Sequence, residues 1–296
     1  MTPALIAITG ADGFIGRATT AALGAAGFDL RLHGGPPAAA CMSPRGQSLH
    51  DAFDLSADDA ATRLGALLLG CDVVVHLAGP PHIVGPSASA RRALEGHVTG
   101  TALVAQAAAR RGCALVYVSS AAVYGRERAG RAGTESDAIE RPDTPYGHAK
   151  WAAEHIVRAW GQVLPAVVLR PTQVYGPGGH AGTLVADLVA QAASGREPAP
   201  RDPGAVVDLV HVSDVAAAIV HAVKALVAAP VAGIADVRSG APLTAAEVAR
   251  CLWAGERALE TPRAPSGVGV LGGWSPTTPL HEGLRALFTE HSRRGA

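Results

Sequence analysis

The segment Thr9-Gly10-Ala11-Asp12-Gly13-Phe14-Ile15-Gly16 decides the fold class of this chain. It follows the apolar run Leu5 to Ile8 and precedes a stretch with helical periodicity, which predicts a turn between a first strand and a first helix. Glycines at this spacing let the backbone turn tightly and approach a pyrophosphate, whose charge the amino end of the helix stabilises. The turn therefore predicts a dinucleotide site, with contacts from Gly10, Gly13, Phe14, Ile15 and Gly16.

Strand-like and helix-like segments alternate from this turn to residue 170, and this alternation predicts a parallel sheet with helices on both faces. Beyond it the pattern loosens, and Pro and Gly cluster at Gly176 to Gly179 and at Pro198 to Gly204. We therefore expect an α/β fold: a Rossmann-type doubly wound parallel sheet with a smaller, discontinuous C-terminal substrate domain. The larger domain takes residues 1–171, with 206–236 returning to it, and the smaller one takes 172–205 and 237–296.

Charge and composition exclude several classes of function. The 25 basic residues balance the 25 acidic ones, and a formal net charge of +0 gives no field that attracts nucleic acid or an anionic membrane. The four cysteines are widely spaced and the twelve histidines have no metal-ligand spacing, so no metal site is expected. The apolar stretch Val215 to Ala235 is interrupted by His221, Lys224 and Pro230, which favours a buried helix, a turn and a strand over a membrane span.

The expected location is cytoplasmic. No basic segment precedes the apolar run Ala4 to Ile8, which argues against a signal peptide. The cysteine pattern indicates no disulfide framework, which suits a reducing compartment.

The second predicted strand lacks an acidic residue at its carboxyl end. In NAD sites such a residue usually accepts hydrogen bonds from the ribose hydroxyls. Here the strand ends in Leu32-His33-Gly34-Gly35, and Asp29 stands at its start, where a solvated carboxylate is expected. The missing carboxylate leaves room for a 2′-phosphate that Arg31, His33 or Arg45 would contact, so NADP is favoured over NAD.

Tyr146 and Lys150 are the predicted proton-transfer pair. They lie four residues apart on a predicted helix and so share one face. A neighbouring ammonium lowers the pKa of a tyrosine, as a proton donor or acceptor to a carbonyl oxygen requires. Ser120 follows the predicted strand Ala114 to Ser119 at the carboxyl end, where open α/β sheets bind ligands. We predict Ser120, Tyr146 and Lys150 as the catalytic residues.

Further segments accompany these motifs in a characteristic order: Asp54-Leu55, His76-Leu77-Ala78-Gly79, Val118 to Gly125, Leu169 to Pro177 and His211 to Val215. With them the chain resembles, over nearly its whole length, the extended short-chain dehydrogenase/reductase superfamily, also called the NAD-dependent epimerase/dehydratase family.

The resemblance implies a role for each matching residue. Ser120 hydrogen-bonds the reacting oxygen, Tyr146 acts as acid or base, and Lys150 also holds the nicotinamide ribose. The expected cofactor contacts beyond the turn are His33, Asp54, Leu55, Leu77, Ala78, Gly79, Tyr146, Lys150 and Pro171. The expected substrate contacts are His97, Ser120, Ala121, Tyr146, Thr172 and Gln173. A homodimer is a further expectation from the family.

Departures from the family pattern bear on the substrate. Ala121-Ala122 replaces the Asp-Glu pair of the family dehydratases, which removes the acid and base for water elimination. His97 and Gln173 replace asparagines. Val207 replaces an arginine that grips a diphosphate in sugar-nucleotide enzymes, and valine has no donors for that task.

Three functions remain open from the sequence. The leading prediction is a reductase or dehydrogenase acting on a carbonyl or secondary alcohol of a sugar-like or secondary-metabolite small molecule. The alternative is a nucleotide-sugar epimerase with retained NAD. The third is a non-catalytic dinucleotide sensor, because a fold does not prove chemistry, but the intact Ser120, Tyr146 and Lys150 argue against it.

Overall fold

The computed structural model describes residues 3–34, 49–80, 91, 94–125, 140–254 and 271–294. The strands are β1 Leu5–Thr9, β2 Asp29–His33, β3 Leu49–Asp51, β4 Val73–His76, β5 Ala114–Val118, β6 Ala166–Pro171, β7 Gln173–Tyr175, β8 Val206–Val207, β9 Leu209–His211, β10 Gly233–Val237 and β11 Leu243–Thr244. The helices are α1 Phe14–Ala25, α2 Ala60–Leu67, α3 Gly100–Arg111, α4 Pro145–Ala159, α5 Leu184–Ala193, α6 Val212–Ala228, α7 Ala245–Trp253 and α8 Leu280–Arg294. A π-helical turn, Glu95–Thr99, leads into α3, and a 3₁₀ turn, Ala121–Tyr124, follows β5.

Seven of the described strands form one parallel sheet in the order β10-β6-β5-β4-β1-β2-β3. From β1 the chain builds outward through β2 and β3, and then crosses to the other side of β1 to add β4, β5 and β6. The strand order therefore reverses between β1 and β4, and open α/β sheets bind ligands at the carboxyl ends of strands flanking such a reversal. The predicted doubly wound Rossmann-type fold is confirmed.

Alternate side chains of the strands feed two apolar clusters, one on each face of the sheet. In β1, Ile6 packs in the cluster that contains Leu23 of α1 and Ile219 of α6. The next residue, Ala7, packs in the cluster that contains Leu64 of α2 and Val104 of α3. Successive residues of a strand point to opposite faces, so apolar runs such as β1 and β4 are what a sheet covered on both sides requires.

The apolar stretch Val215 to Ala235 forms most of α6, a turn and the start of β10. The prediction of a helix, a turn and a strand is thus confirmed. Among the helices that the structure describes, none combines the length and apolarity needed to cross a membrane.

A third apolar cluster lies in the C-terminal part of the chain and draws on β7, β8, β9, α5, α7 and α8. Val207 and Leu209 are buried in this cluster, and β8 pairs with β11. Residues 206–209 therefore pack with elements of the predicted substrate domain. The division into two domains itself remains a prediction.

Candidate active site

The segment Thr9 to Gly16, the glycine turn, crosses the carboxyl end of β4, and the two backbones are in contact. Gly10 has a positive φ of 75°, and a Cβ added there would lie 2.7 Å from the amide nitrogen of Ala78 and 2.9 Å from the carbonyl carbon of Leu77. Leu77 donates its N–H to the carbonyl of Thr9 at 3.0 Å. The structure therefore brings together the predicted cofactor residues Gly10, Leu77 and Ala78.

The amino end of α1 is suited to an anion. Gly13 is the N-cap residue, it is exposed and has no capping side chain, and no acidic residue lies in the first helical turn. Phe14 and Ile15 are partly buried. A helix amino end offers backbone donors and a partial positive charge. This end of α1 fits the pyrophosphate of a dinucleotide.

The cations predicted to meet a 2′-phosphate lie elsewhere or are occupied. Arg31 donates to the carbonyl oxygens of Leu67 and Leu69, at the carboxyl end of α2. His33 is buried, and its Nε2 donates to the carbonyl oxygen of Phe53 at 2.9 Å. Arg45 lies outside the described residues.

Asp54 and Leu55 follow the third strand, as the family pattern requires. Asp54 is exposed, and its Oδ1 accepts hydrogen bonds from the N–H and hydroxyl of Ser56 at 2.8 and 2.7 Å. Leu55 packs beside Gly100 at the start of α3. Pro171 is buried at the end of β6. The contacts of Asp54, Leu55 and Pro171 with a cofactor remain predictions.

Local capping brings Tyr146 to Ser120. Thr144 caps α4 by accepting a hydrogen bond from the N–H of Gly147 at 3.0 Å, and proline occupies the first helical position. A Cβ added to Gly147 would lie 2.6 Å from the carbonyl oxygen of Ala122, so the helix touches the 3₁₀ turn that Ser120 begins. The side chain of Ser120 acts on the phenol of Tyr146 and lowers its pKa against the effect of burial.

Lys150 lies under the same site. Its Nζ is buried and donates to the carbonyl oxygen of Val118 at 2.9 Å, 5.0 Å from the ring centroid of Tyr117 and 6.0 Å from that of Tyr146. Burial lowers the pKa of Lys150 to about 8, against the opposing effect of Glu154. The structure thus assembles Ser120, Tyr146 and Lys150 around one point, although their catalytic roles are not tested by it.

The pKa of Tyr146 is raised, not lowered. Burial penalises the phenolate, and the side chain of Ser120 only partly offsets this effect. The expectation of a lowered pKa for Tyr146 is wrong in direction, because desolvation by burial is the largest effect on this phenol. Tyr146 is therefore a protonated phenol at neutral pH, which is the form that donates a proton.

His97 lies beside Tyr146, in the π-helical turn before α3. Its ring meets the ring of Tyr146 edge-on with centroids 5.3 Å apart, and its Nε2 donates to the carbonyl oxygen of Pro80 at 3.0 Å. Burial and the charge of Lys150 lower the pKa of His97 to about 3, so the ring is neutral. Its buried Nδ1 has no hydrogen-bond partner within the described ranges and is an acceptor. A Cβ added to Gly79 would lie 2.4 Å from this nitrogen.

The remaining predicted substrate residues are not brought to Tyr146 by any contact that the structure shows. The hydroxyl of Thr172 donates to Asp208 at 3.4 Å, and Gln173 is exposed with its N–H donating to the carbonyl of Asp208. Ala121 is buried against Val123 and Tyr124. Their contacts with a substrate remain predictions.

A buried ionic cluster around Arg170 connects the elements that carry the site residues. The guanidinium of Arg170, on β6, donates to Glu154 of α4, to Glu140 and to the hydroxyl of Tyr124. Tyr124 in turn donates to Asp236 of β10 at 2.9 Å. The cluster joins the sheet to α4 and to the 3₁₀ turn, the two elements that carry Tyr146 and Ser120.

Asp12 is the residue that sequence reasoning missed. A Cβ added to Gly34 would lie 2.1 Å from Oδ2 of Asp12, so the carboxylate fills the space beside the end of β2. The space that the sequence predicted to be open beside this strand is therefore occupied. A signal was present, because consecutive strands of such a sheet are neighbours and the first turn must pass the end of the second strand.

No set of three or more His, Cys, Asp or Glu side chains within the described ranges is arranged to hold a metal ion.

Comparison with known proteins agrees with this geometry. The model of the NAD dependent epimerase/dehydratase family matches residues 6–236. A dTDP-glucose 4,6-dehydratase from Mycolicibacterium smegmatis is 31% identical over 158 residues, which are 52% of this chain and 48% of that protein. A GDP-6-deoxy-D-mannose reductase from Pseudomonas aeruginosa is 29% identical over 190 residues, which are 63% of this chain and 57% of that protein. The chain spans about half the length of the first of these relatives.

A solved structure extends the likeness to the whole chain. The NAD complex of UDP-glucose 4-epimerase from Thermus thermophilus is 26% identical and has a TM-score of 0.76, covering 99% of this chain and 100% of that one. Fold, site geometry and family match agree, and the chain belongs to the NAD dependent epimerase/dehydratase family.

Proposed function

We propose that this chain is a nicotinamide-dinucleotide-dependent oxidoreductase that reduces a ketone of a sugar-like substrate or oxidises the corresponding secondary alcohol. The observation that carries the proposal is the geometry of the site: Lys150 Nζ lies 6.0 Å from the ring centroid of Tyr146 on the same helix, and this helix touches the 3₁₀ turn that Ser120 begins. The names of the two relatives make nucleotide sugars the first substrate class to examine.

The dinucleotide, held at the glycine turn and the amino end of α1, supplies the hydride when bound. In the reductive direction, Ser120 and Tyr146 hold the carbonyl oxygen by hydrogen bonds. Tyr146 donates its phenolic proton to that oxygen while the carbonyl carbon gains the hydride, and C=O becomes CH–OH. The Lys150 ammonium stabilises the phenolate until solvent returns the proton.

His97 adds an acceptor beside this centre. Its neutral ring presents Nδ1 next to Tyr146 and Gly79, so a substrate hydroxyl is the group that it would bind. An asparagine amide at this place offers both donors and an acceptor, whereas this imidazole nitrogen only accepts. We therefore assign His97 to substrate binding and not to proton transfer.

Two departures from the family pattern limit the reactions and substrates that the site suits. Ala121 and Ala122 have no carboxyl group, so the chain lacks the acid and base that water elimination needs at this place. Val207 is buried in the C-terminal apolar cluster and brings no guanidinium to a diphosphate. The site is thus suited to redox chemistry and does not require a diphosphate in the substrate at this place.

The second candidate function is a nucleotide-sugar epimerase with retained NAD. The carboxylate of Asp12 beside the end of β2 favours it, because an acid at this place suits NAD, and an epimerase regenerates its cofactor in each cycle. The two functions differ in one respect: a reductase consumes a reduced cofactor that is added, and an epimerase does not.

Replacement of Tyr146 by phenylalanine tests the proposed chemistry. Tyr146→Phe removes the donated proton and leaves the glycine turn intact, so we expect turnover to fall by at least ~10²-fold, in line with the loss of a general acid. Dinucleotide binding, followed by cofactor fluorescence, should be retained. Wild-type turnover of ketosugars by a folded Tyr146→Phe variant would exclude Tyr146 as the proton donor.

A further inference from the structure

The carboxylate of Asp12 occupies the space in which the side chain of residue 34, at the end of β2, would lie. Gly34 directly follows the last residue of β2, and a Cβ added there would lie 2.1 Å from Oδ2 and 2.7 Å from Cγ of Asp12. The turn is held against the strand end, because the N–H of Ala11 donates to the carbonyl oxygen of His33 at 3.0 Å. The carboxylate of the glycine turn therefore stands where a side chain at position 34 would stand.

This placement restores a group that the second strand lacks. An acidic side chain at the end of this strand accepts hydrogen bonds from the ribose hydroxyls of NAD in Rossmann sites. We propose that Asp12 takes over this task from within the glycine turn, accepts a hydrogen bond from the adenosine ribose and makes the chain prefer NAD to NADP. The proposal rests on the dinucleotide site proposed above.

The negative charge of the Asp12 carboxylate determines which of the two cofactors is preferred. A 2′-phosphate carries negative charge into the space beside Gly34, where the Asp12 carboxylate repels it, whereas a ribose hydroxyl is a donor that this carboxylate accepts. The sequence favoured NADP because no strand residue supplied a carboxylate, and the structure supplies one from the neighbouring turn.

The described arginines near this end of the sheet donate to backbone oxygens. Arg31 donates to carbonyl oxygens at the end of α2. The guanidinium of Arg17 donates to the backbone oxygens of Asp12 at 2.6 Å and of Gly178 at 3.4 Å, and so links the turn to the loop after β7. Neither contact places a guanidinium beside Gly34 to balance a 2′-phosphate.

Binding of the two reduced cofactors tests the proposal without any substrate. Dissociation constants of NADH and NADPH would be measured by cofactor fluorescence for the wild type, for Asp12→Asn and for Asp29→Asn. Asp29→Asn is the matched control, because it makes the same chemical change at the start of β2, away from the strand end that Asp12 lies beside. We expect the wild type to bind NADH more tightly. Asp12→Asn should lower the ratio of the affinity for NADH to the affinity for NADPH by about 10-fold or more, the factor for one charge-assisted hydrogen bond. Asp29→Asn should leave this ratio unchanged.

The outcomes separate the two proposals. Wild-type preference for NADPH, or an unchanged ratio in a folded Asp12→Asn variant, would overturn the role of Asp12 and leave the dinucleotide site standing. Failure of the wild type to bind either cofactor would overturn the proposed function itself. The wild-type ratio needs no variant, so the test holds even if Asp12→Asn does not fold.

Discussion

Lys150 makes the stability of the folded chain depend on pH. Its ammonium is buried, and burial lowers its pKa from 10.5 to about 8 in the folded chain. Below pH 8 both the folded and the unfolded chain carry the proton, and folding bears the full cost of burying the charge. Between pH 8 and 10.5 the folded chain releases a proton that the unfolded chain keeps, so this cost declines as pH rises.

We therefore predict that the wild type gains stability relative to Lys150→Met as pH rises from about 7 to about 10. At ~1.4 kcal/mol per pKa unit, the gain in the free energy of unfolding is up to about 3 kcal/mol. Urea unfolding of both proteins at three pH values measures it. Lys224→Met, which removes the other, exposed lysine of the chain, is the matched control and should show no such gain. A wild-type advantage that does not vary with pH would show that Lys150 is not buried as a charged group.

The sequence predicted that Tyr146 and Lys150 lie together, but not their electrostatics. The spacing of Tyr146 and Lys150 placed both on one helical face, and α4 bears this out. The direction of the Tyr146 pKa depends on how deeply the phenol is buried, which is a property of the packed structure and not of the spacing.

Two glycines of the turn before α1 have separable tasks. A Cβ on Gly16 would lie 2.0 Å from the carbonyl oxygen of Gly10, so this glycine is needed for packing within the turn. Gly13 is exposed, and a Cβ there would lie 3.2 Å from the same oxygen, a contact that a small shift relieves. Its side-chain space faces the place proposed for the pyrophosphate.

We predict that Gly13→Val folds but binds dinucleotide at least ~10-fold more weakly, because its side chain takes the space that the pyrophosphate needs. Gly16→Val should instead lower the free energy of unfolding by more than about 1 kcal/mol, since overpacking strains the turn. Calorimetric titration and thermal unfolding of both variants separate the two effects. Unchanged cofactor affinity in folded Gly13→Val would remove the pyrophosphate from this turn.

At the level of elements, the sequence was most reliable where periodicity decides the structure. It predicted the strand-turn-helix at the start of the chain and the helix, turn and strand within residues 215–235. Sequence periodicity did not indicate the π-helical turn, Glu95–Thr99, that precedes α3. This turn carries His97, and such turns are frequent at functional sites.

At the scale of the whole molecule, alternating strands and helices predicted the parallel sheet, but not what faces each strand end. The position of Asp12 beside Gly34 depends on the pairing of β1 with β2 and on the path of the turn between β1 and α1. The packing of residues 206–207 depends on the pairing of β8 with β11, which joins segments far apart in the sequence. Both are long-range relations that local patterns do not contain.

One carboxylate links the sheet to the C-terminal part of the chain. Asp208, between β8 and β9, accepts hydrogen bonds from the hydroxyl of Thr172, from the N–H and hydroxyl of Ser239 and from the N–H of Gly240. These residues follow β6 and β10, at the carboxyl edge of the sheet. These hydrogen bonds thus attach the segment between β8 and β9 to the carboxyl edge of the sheet, the edge at which Ser120 follows β5.

The central claim is hydride reduction of a ketone with proton donation by Tyr146, and transfer of deuterium tests it most directly. The purified chain would be incubated with a panel of ketosugars, with and without a nucleoside diphosphate, and with NADH or NADPH that carries deuterium in both C4 positions of the nicotinamide. Mass spectrometry would follow the alcohol product. The account predicts one deuterium in the product for each cofactor oxidised, with the rate lost in Tyr146→Phe. Interconversion of nucleotide sugars without added cofactor and without deuterium in the product would contradict the reductase and establish the epimerase in its place.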